Sequence, residues 1–185
     1  MTFYYVEDIT MKNKWTDFLG KTWEFEDMGI AIINKKLIPP GGILYNGKYL
    51  VINQDPAVPI PGFLVITLKR HINSYRLLTK AEKIEIANLL YLVECIEQEL
   101  NISKEFTIVQ EDRCQHFHIW IFPDENWLSH NFPRGIEKLR EIFKVAKEKA
   151  TQETLNETVE VTKKIKEKLD EYKELYKDKL FTEII

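Results

Sequence analysis

The chain has 185 residues, 44% of them hydrophobic and 30% charged, with a formal net charge of −3. That length supports one domain with a packed core and extra elements, and the slight acidity argues against a general nucleic-acid or membrane-surface binder. Two cysteines, Cys95 and Cys114, make no disulfide framework and fit a reducing compartment. The first ten residues mix aromatics and acids without a basic or apolar leader, and no apolar run approaches the roughly 18 residues of a membrane span. A cytoplasmic protein with no membrane partner is the expectation.

Residues 1–28 are dense in aromatics, among them Trp15, Trp23 and Phe25, with poor periodicity. They read as an N-terminal extension packed on the domain, with a helical turn near 15–19. Residues 29–34 read as a short strand, closed by Pro39-Pro40-Gly41-Gly42. Residues 43–53 carry a hairpin signature in which Asn46-Gly47 predicts a tight type I′ turn. Pro56, Pro59 and Pro61 keep 54–62 out of any central strand and make it a structured loop. The almost wholly apolar residues 63–69 then read as a central strand running into Arg70-His71.

Thr79 and Glu82 stand at capping-box spacing before a helix whose apolar positions include Ile86, Leu89, Val93 and Ile96. Asn101 is its expected stop, and Cys95 within it reads as a buried thiol. Residues 106–110 form a strand, followed by a polar turn. After Pro123 comes a loop with Trp127 and His130. A helix then begins near Arg134, with Ile136, Leu139, Phe143 and Ala146 on one face. A second, highly charged helix over 151–180 shows an apolar stripe of Leu155, Val159, Ile165, Leu169, Tyr172, Tyr176 and Leu180.

The stretch from Cys114 to Pro123 carries the chemistry. In a strand, Cys114, His116, His118 and Trp120 share one face, and Phe117, Ile119 and Ile121 the other. Taken alone, two imidazoles on one face fit a half-buried polar surface, a metal site with Cys114, or one wall of a catalytic site. Zinc takes three or four protein ligands, and the chain has no CxxC or HExxH, so no metal ligands are assigned. His130 reads as a surface residue and His71 as a turn residue.

The order of pieces resembles the histidine triad (HIT) family. The matching segments are Pro61-Gly62-Phe63-Leu64-Val65-Ile66, then Lys69-Arg70-His71-Ile72, then Leu78-Thr79 opening a helix, then His116-Phe117-His118-Ile119-Trp120-Ile121-Phe122-Pro123, covering roughly residues 43–123. The resemblance implies an α+β fold: an antiparallel sheet of about five strands with a long packing helix. A C-terminal helical extension follows it. The organisation read from the sequence is an extension over 1–28, a HIT-like domain over 29–130, and two helices over 131–185.

The family motif is three histidines alternating with apolar residues. Either His116 is first, His118 central and Trp120 in place of the third, or Cys114 replaces the first and His116 is central. The former register sets Ile121-Phe122-Pro123 on the segment that follows the third position. It makes His118 the nucleophile at the α-phosphorus of a nucleotide, through a nucleotidyl-histidine intermediate, with His116 supporting it. The backbone is expected to hold the nucleophile's other ring nitrogen as a donor. Trp120 can donate a hydrogen bond but cannot shuttle a proton. The galactose-1-phosphate uridylyltransferase branch carries Gln at that position.

By the same resemblance Asn53, Gln54 or Asp55 would meet the ribose, Ile52 and Leu64 would sandwich the base, and Arg113 and Cys114 would lie against the phosphates. Substrates would be dinucleoside polyphosphates or nucleoside phosphoramidates, cleaved by hydrolysis or nucleotidyl transfer. No cofactor is required at the nucleophile, though Mg2+ could accompany a polyphosphate. A homodimer is expected. The competing readings are a nucleotide binder without turnover and a His/Cys metal-binding module.

Overall fold

The computed structural model describes residues 13–103, 106–111, 116–124 and 138–176. Its centre is a five-stranded antiparallel sheet in the order β3-β4-β5-β7-β6, formed by β3 (Ile43–Asn46), β4 (Leu50–Gln54), β5 (Leu64–Leu68), β6 (Phe106–Glu111) and β7 (His118–Pro123). β7 returns between β5 and β6, so the histidine strand is internal to the sheet. Every residue of β4 and β5 is buried: β5 as its almost wholly apolar sequence predicts, and β4 with the polar Asn53 and Gln54 taken in as well.

Strand register assigns each side chain a face. Ile52, Ile66 and Ile119 form one cross-strand row and Gln54, Leu64 and Ile121 another. Their apolar members pack, with Leu89, Val93 and Ile96 of α2 (Lys80–Glu99), into the largest core cluster. Each such side chain contributes roughly 1.5–3 kcal/mol on burial. The alternate rows are Val51, Thr67 and His118, and Asn53, Val65 and Trp120. These form the opposite face, called here the histidine face. Two apolar clusters cover parts of it. One joins Val51 and Ile43 to α1 (Met28–Ile33) and to a separate hairpin, β1 (Asn13–Thr16) and β2 (Thr22–Phe25). The other joins Trp120, Phe122 and Phe63 to Ile142, Phe143 and Ala146 of α3 (Leu139–Glu148).

The capping box forms as expected. Thr79 Oγ1 accepts from the Glu82 amide at 3.3 Å, and Glu82 Oε2 accepts from the Thr79 amide at 2.7 Å. Asn101 takes a left-handed φ of 55° just past the helix.

Several local expectations are corrected. Residues 29–34 are not a strand: Asp27 caps α1 by accepting from the Ile30 amide at 2.7 Å, and Ala31 and Ile32 turn inward together. Residues 13–16 are a strand, not part of a helical turn. Gly47 is absent from the positive-φ residues, so the hairpin turn is not type I′. Glycine is required there for space, because a Cβ would lie 2.1 Å from Glu85 Oε1. Cys95 is half-buried rather than sealed.

The last helix, α4 (Gln152–Tyr176), packs back on α2 and β3 of its own chain. It buries Thr158, Thr162, Ile165 and Leu169, so its inner stripe begins with threonines where Leu155 and Val159 were expected. The small side chain is needed at Gly41, φ 80°, where a Cβ would meet Thr162 Cγ2 at 2.4 Å. Thr162 and Thr158 satisfy their hydroxyls on the helix's own carbonyls, at 2.7 and 2.8 Å. Among the described residues, no helix is long and apolar enough to cross a membrane.

Candidate active site

His118 opens β7, and its ring is half-buried. Its Nδ1 lies 3.0 Å from the carbonyl oxygen of His116. A carbonyl only accepts, so Nδ1 carries the proton and Nε2 of the neutral ring presents a lone pair. That is the tautomer a nucleophilic imidazole needs. The ring also sits 5.6 Å, centroid to centroid, from the indole of Trp120. Across the sheet its register partners are Thr67 on β5 and Glu111 on the edge strand β6.

His116 lies just before the strand and is 4% exposed. Its Nε2 donates to the Leu68 carbonyl at 2.5 Å. Nδ1 of the neutral ring is then an acceptor, and it has no hydrogen-bond partner. It faces Asp27 Oδ1 at 3.3 Å, while the other carboxylate oxygen of Asp27 lies 3.8 Å from His71 Nε2. Two acceptors directed at each other in a buried place require a proton or a cation between them. One ligand atom from each of Asp27, His71 and His116 falls within 4.8 Å of the others, so these three could hold a metal ion. α1 reaches this spot because residue 29 is glycine: a Cβ there would stand 2.9 Å from Thr67 Cγ2 and 3.2 Å from His116 Nδ1.

The residues expected at the site divide by sheet face. Asn53 shares the face of His118 and is fully buried. Its Nδ2 donates to the Gln54 carbonyl at 2.8 Å, and its Oδ1 has no partner. Gln54 lies on the opposite face. Its amide nitrogen braces the proline-rich loop, donating to the Ile60 carbonyl at 2.9 Å, and its Oε1 is also unpartnered. Asp55 accepts from the Ala57 and Val58 amides at 2.8 and 2.9 Å, and burial pushes its carboxyl up to about 6. Its polar capacity belongs to the loop rather than to a ribose.

Ile52 and Leu64 are corrected outright as base walls. Both have zero exposure and point into the α2 cluster, away from the histidines. Trp120 does face the His118 side. It is held edge-on to Phe63 at 6.0 Å and to Phe143 of α3 at 5.6 Å. Arg113, Cys114, Trp127 and His130 lie outside the described residues.

Asp27 and His71 are the members that sequence reasoning missed. His71 was visible as the end of Lys69-Arg70-His71, but its partner was not. Asp27 becomes legible only once 28–33 is a helix and the aspartate its N-cap.

The sequence matches no protein-family model and no curated protein. In fold, the chain is similar to histidine triad proteins. It aligns with a hypothetical histidine triad nucleotide-binding protein from Sulfolobus tokodaii strain7 at a TM-score of 0.54 and 17% identity, over 80% of this chain and 94% of that one. A Zn-bound histidine triad family protein from Mycobacterium smegmatis aligns at 0.55 and 13% identity, over 77% of this chain and 94% of that one. The C. elegans NitFhit protein aligns at 0.48 and 19% identity, and the match spans 69% of this chain but only 28% of that chain. The class that the first two alignments define is the HIT-like α+β fold.

Proposed function

We propose that this protein binds a nucleotide on the histidine face and that His118 attacks its α-phosphorus, giving hydrolysis or nucleotidyl transfer through a nucleotidyl-histidine. The observation that carries this reading is the His118 Nδ1 to His116 carbonyl contact of 3.0 Å, which leaves Nε2 as the free nucleophile. It favours the register with His118 central and Trp120 third. Asn53 is the residue of the three that fits a ribose contact, because its unpartnered Oδ1 belongs to a side chain on the same face.

Substrates of the reading are dinucleoside polyphosphates or nucleoside phosphoramidates, with Mg2+ accompanying a polyphosphate. It also carries a homodimer, and β6, an edge strand with Ile108 45% exposed, is where a second sheet would add.

The test is AMP release from diadenosine tetraphosphate and from adenosine phosphoramidate by wild type, His118→Asn and His116→Asn. Activity lost in His118→Asn, with a covalent adenylate trapped on wild type alone, is the expected result. Nucleotide binding without turnover would leave a binder only. A full adenylate on His118→Asn would move the nucleophile to His116.

A second reading concerns the buried Nδ1 of His116. Its lone pair, the Asp27 carboxylate and His71 Nε2 suit a zinc ion that would fix α1 to the strand entrance. Zinc stoichiometry by elemental analysis, with thermal stability before and after chelation, tests it independently of turnover.

A further inference from the structure

Just past Leu68, whose carbonyl holds His116, cations gather around two tyrosines. A cavity of about 610 Å³ is lined there by Lys48 and Tyr49 just before β4, Lys69 and Arg70 just after β5, and Thr79, Ala81 and Glu82 at the start of α2. Glu82 is the one carboxylate of that lining, and it is already engaged: it accepts from Arg70 at 2.9 and 3.0 Å and from the Thr79 amide at 2.7 Å. Lys48 Nζ stands 5.1 Å from the centre of the Tyr49 ring. Arg70 Nη2 also donates to the Leu77 carbonyl at 2.8 Å, which ties the cavity wall to the short helical turn Tyr75–Leu77. Tyr75 is 45% exposed, and Lys83 Nζ lies 5.6 Å from its ring centre. Arg76 and Lys80 are exposed beside them. The net charge of −3 belongs to the whole chain, whereas residues 69–83 set Lys69, Arg70, Arg76, Lys80 and Lys83 against Glu82 alone.

We propose that this face binds single-stranded nucleic acid, with Lys48, Lys69, Arg76, Lys80 and Lys83 on its phosphates and Tyr75 stacked on a base. A strand of phosphates is held by a row of cations, which replace its condensed counterions. A base is held by an accessible aromatic face beside that row. Both come from the same residues here, because a lysine that leaves a ring face for a phosphate uncovers the face on which a base stacks. Two other polyanions fit less well. An acidic peptide meets the cations but not the tyrosine faces. A membrane surface takes a protruding apolar face rimmed by cations, whereas the cations here surround a cavity. The proposal is independent of the nucleophilic role of His118.

The test uses the full chain and a fluorescein-labelled strand of about ten uridylates or thymidylates, within the span that one small groove covers. Fluorescence anisotropy should give a dissociation constant of roughly 10⁻⁴–10⁻⁶ M at physiological salt. The logarithm of the binding constant should fall against that of salt with a slope of about −2 to −4, as about three to five phosphate contacts imply. Replacing both Lys80 and Lys83 with Ala should weaken binding and flatten the slope by about 1. Tyr75→Ala should weaken binding about tenfold at every salt concentration and leave the slope alone. The lysine variant alters only exposed side chains and stands even if Tyr75→Ala misfolds.

A dissociation constant weaker than about 10⁻³ M for both strands, outside even the non-specific range, overturns the proposal. So does binding that either folded variant leaves unchanged, or equal binding of a polyglutamate peptide or of phosphatidylserine vesicles. Competition by AMP would put the strand in the histidine site and overturns it too. His118→Asn should bind the strand as wild type does, so AMP release and strand binding fail separately.

Discussion

On the α2 face, Ile52, Leu64, Ile66, Ile119 and Ile121 close against the helix, and the buried carboxylates beside them meet donors. Glu85 accepts from Tyr45 Oη at 2.9 Å and the Tyr49 amide at 3.0 Å, and Glu82 takes a bidentate Arg70. On the histidine face, built from the same strands, two small clusters leave Asn53 Oδ1 without a hydrogen-bond partner and His116 Nδ1 with only the Asp27 carboxylate, 3.3 Å away. Unpaired buried acceptors cost roughly 1–3 kcal/mol each. The α2 face leaves an acceptor unpartnered too, Gln54 Oε1 beside the proline-rich loop, but the histidine face sets its own beside a half-buried imidazole, which is what the proposed nucleotide site rests on.

That contrast can be broken by substitution. His118→Asn should lower turnover by about 10⁴-fold or more with an unchanged thermal midpoint, checked by AMP release and calorimetry. A matching loss of stability would return the ring to a packing role. On the other face Leu64→Ala should cost about 2–5 kcal/mol in urea unfolding and leave nucleotide affinity alone. Asn53→Ala should do the reverse, weakening nucleotide binding about tenfold in calorimetric titration. A swap of those two outcomes would put the ligand on the wrong side of the sheet.

Zinc should raise the stability of wild type by about 2.7 kcal/mol at a hundredfold excess over its dissociation constant, and Asp27→Asn should abolish the gain. Equal gains in both proteins would remove Asp27 from any metal site.

The smallest expected effects are in pH dependence. Arg70 holds the Glu82 carboxyl down to about 2, below its ordinary 4.5. A depressed pKa gives stability that is complete above the ordinary value and is lost as pH falls from about 4.5 toward 2. The stability gap between wild type and Glu82→Gln should therefore shrink over that window. Asp55, pushed up to about 6, has the opposite sign: the fold loses stability as pH rises from 3.8 through 6. Asp55→Asn should flatten that slope.

The comparison also explains what could be read in advance. The capping box at Thr79 and Glu82, the strands over 43–53 and 63–69, and the alternation at His118, Ile119, Trp120 and Ile121 are local signals, each set by neighbours within a few residues. The strand expected at 29–34 failed because β-branched residues outweighed one N-cap aspartate. The inner stripe of α4 was misread because threonine counts as polar until a glycine turn is seen pressed against it.

Sequence by itself determined the strands over 43–53 and 63–69, the long helix, and the placement of His118 and Trp120 on a common strand face, because backbone period and hydrophobic pattern are properties of short stretches; the sheet of about five strands was what the family resemblance implied. Only tertiary structure decided that Asp27 and His71 meet His116, that Asn53 but neither Ile52 nor Leu64 shares the face of His118, and that α3 backs Trp120. Those outcomes depend on register between strands distant in sequence and on which helix covers which face. Both are set by packing across the sheet rather than by any local run of residues.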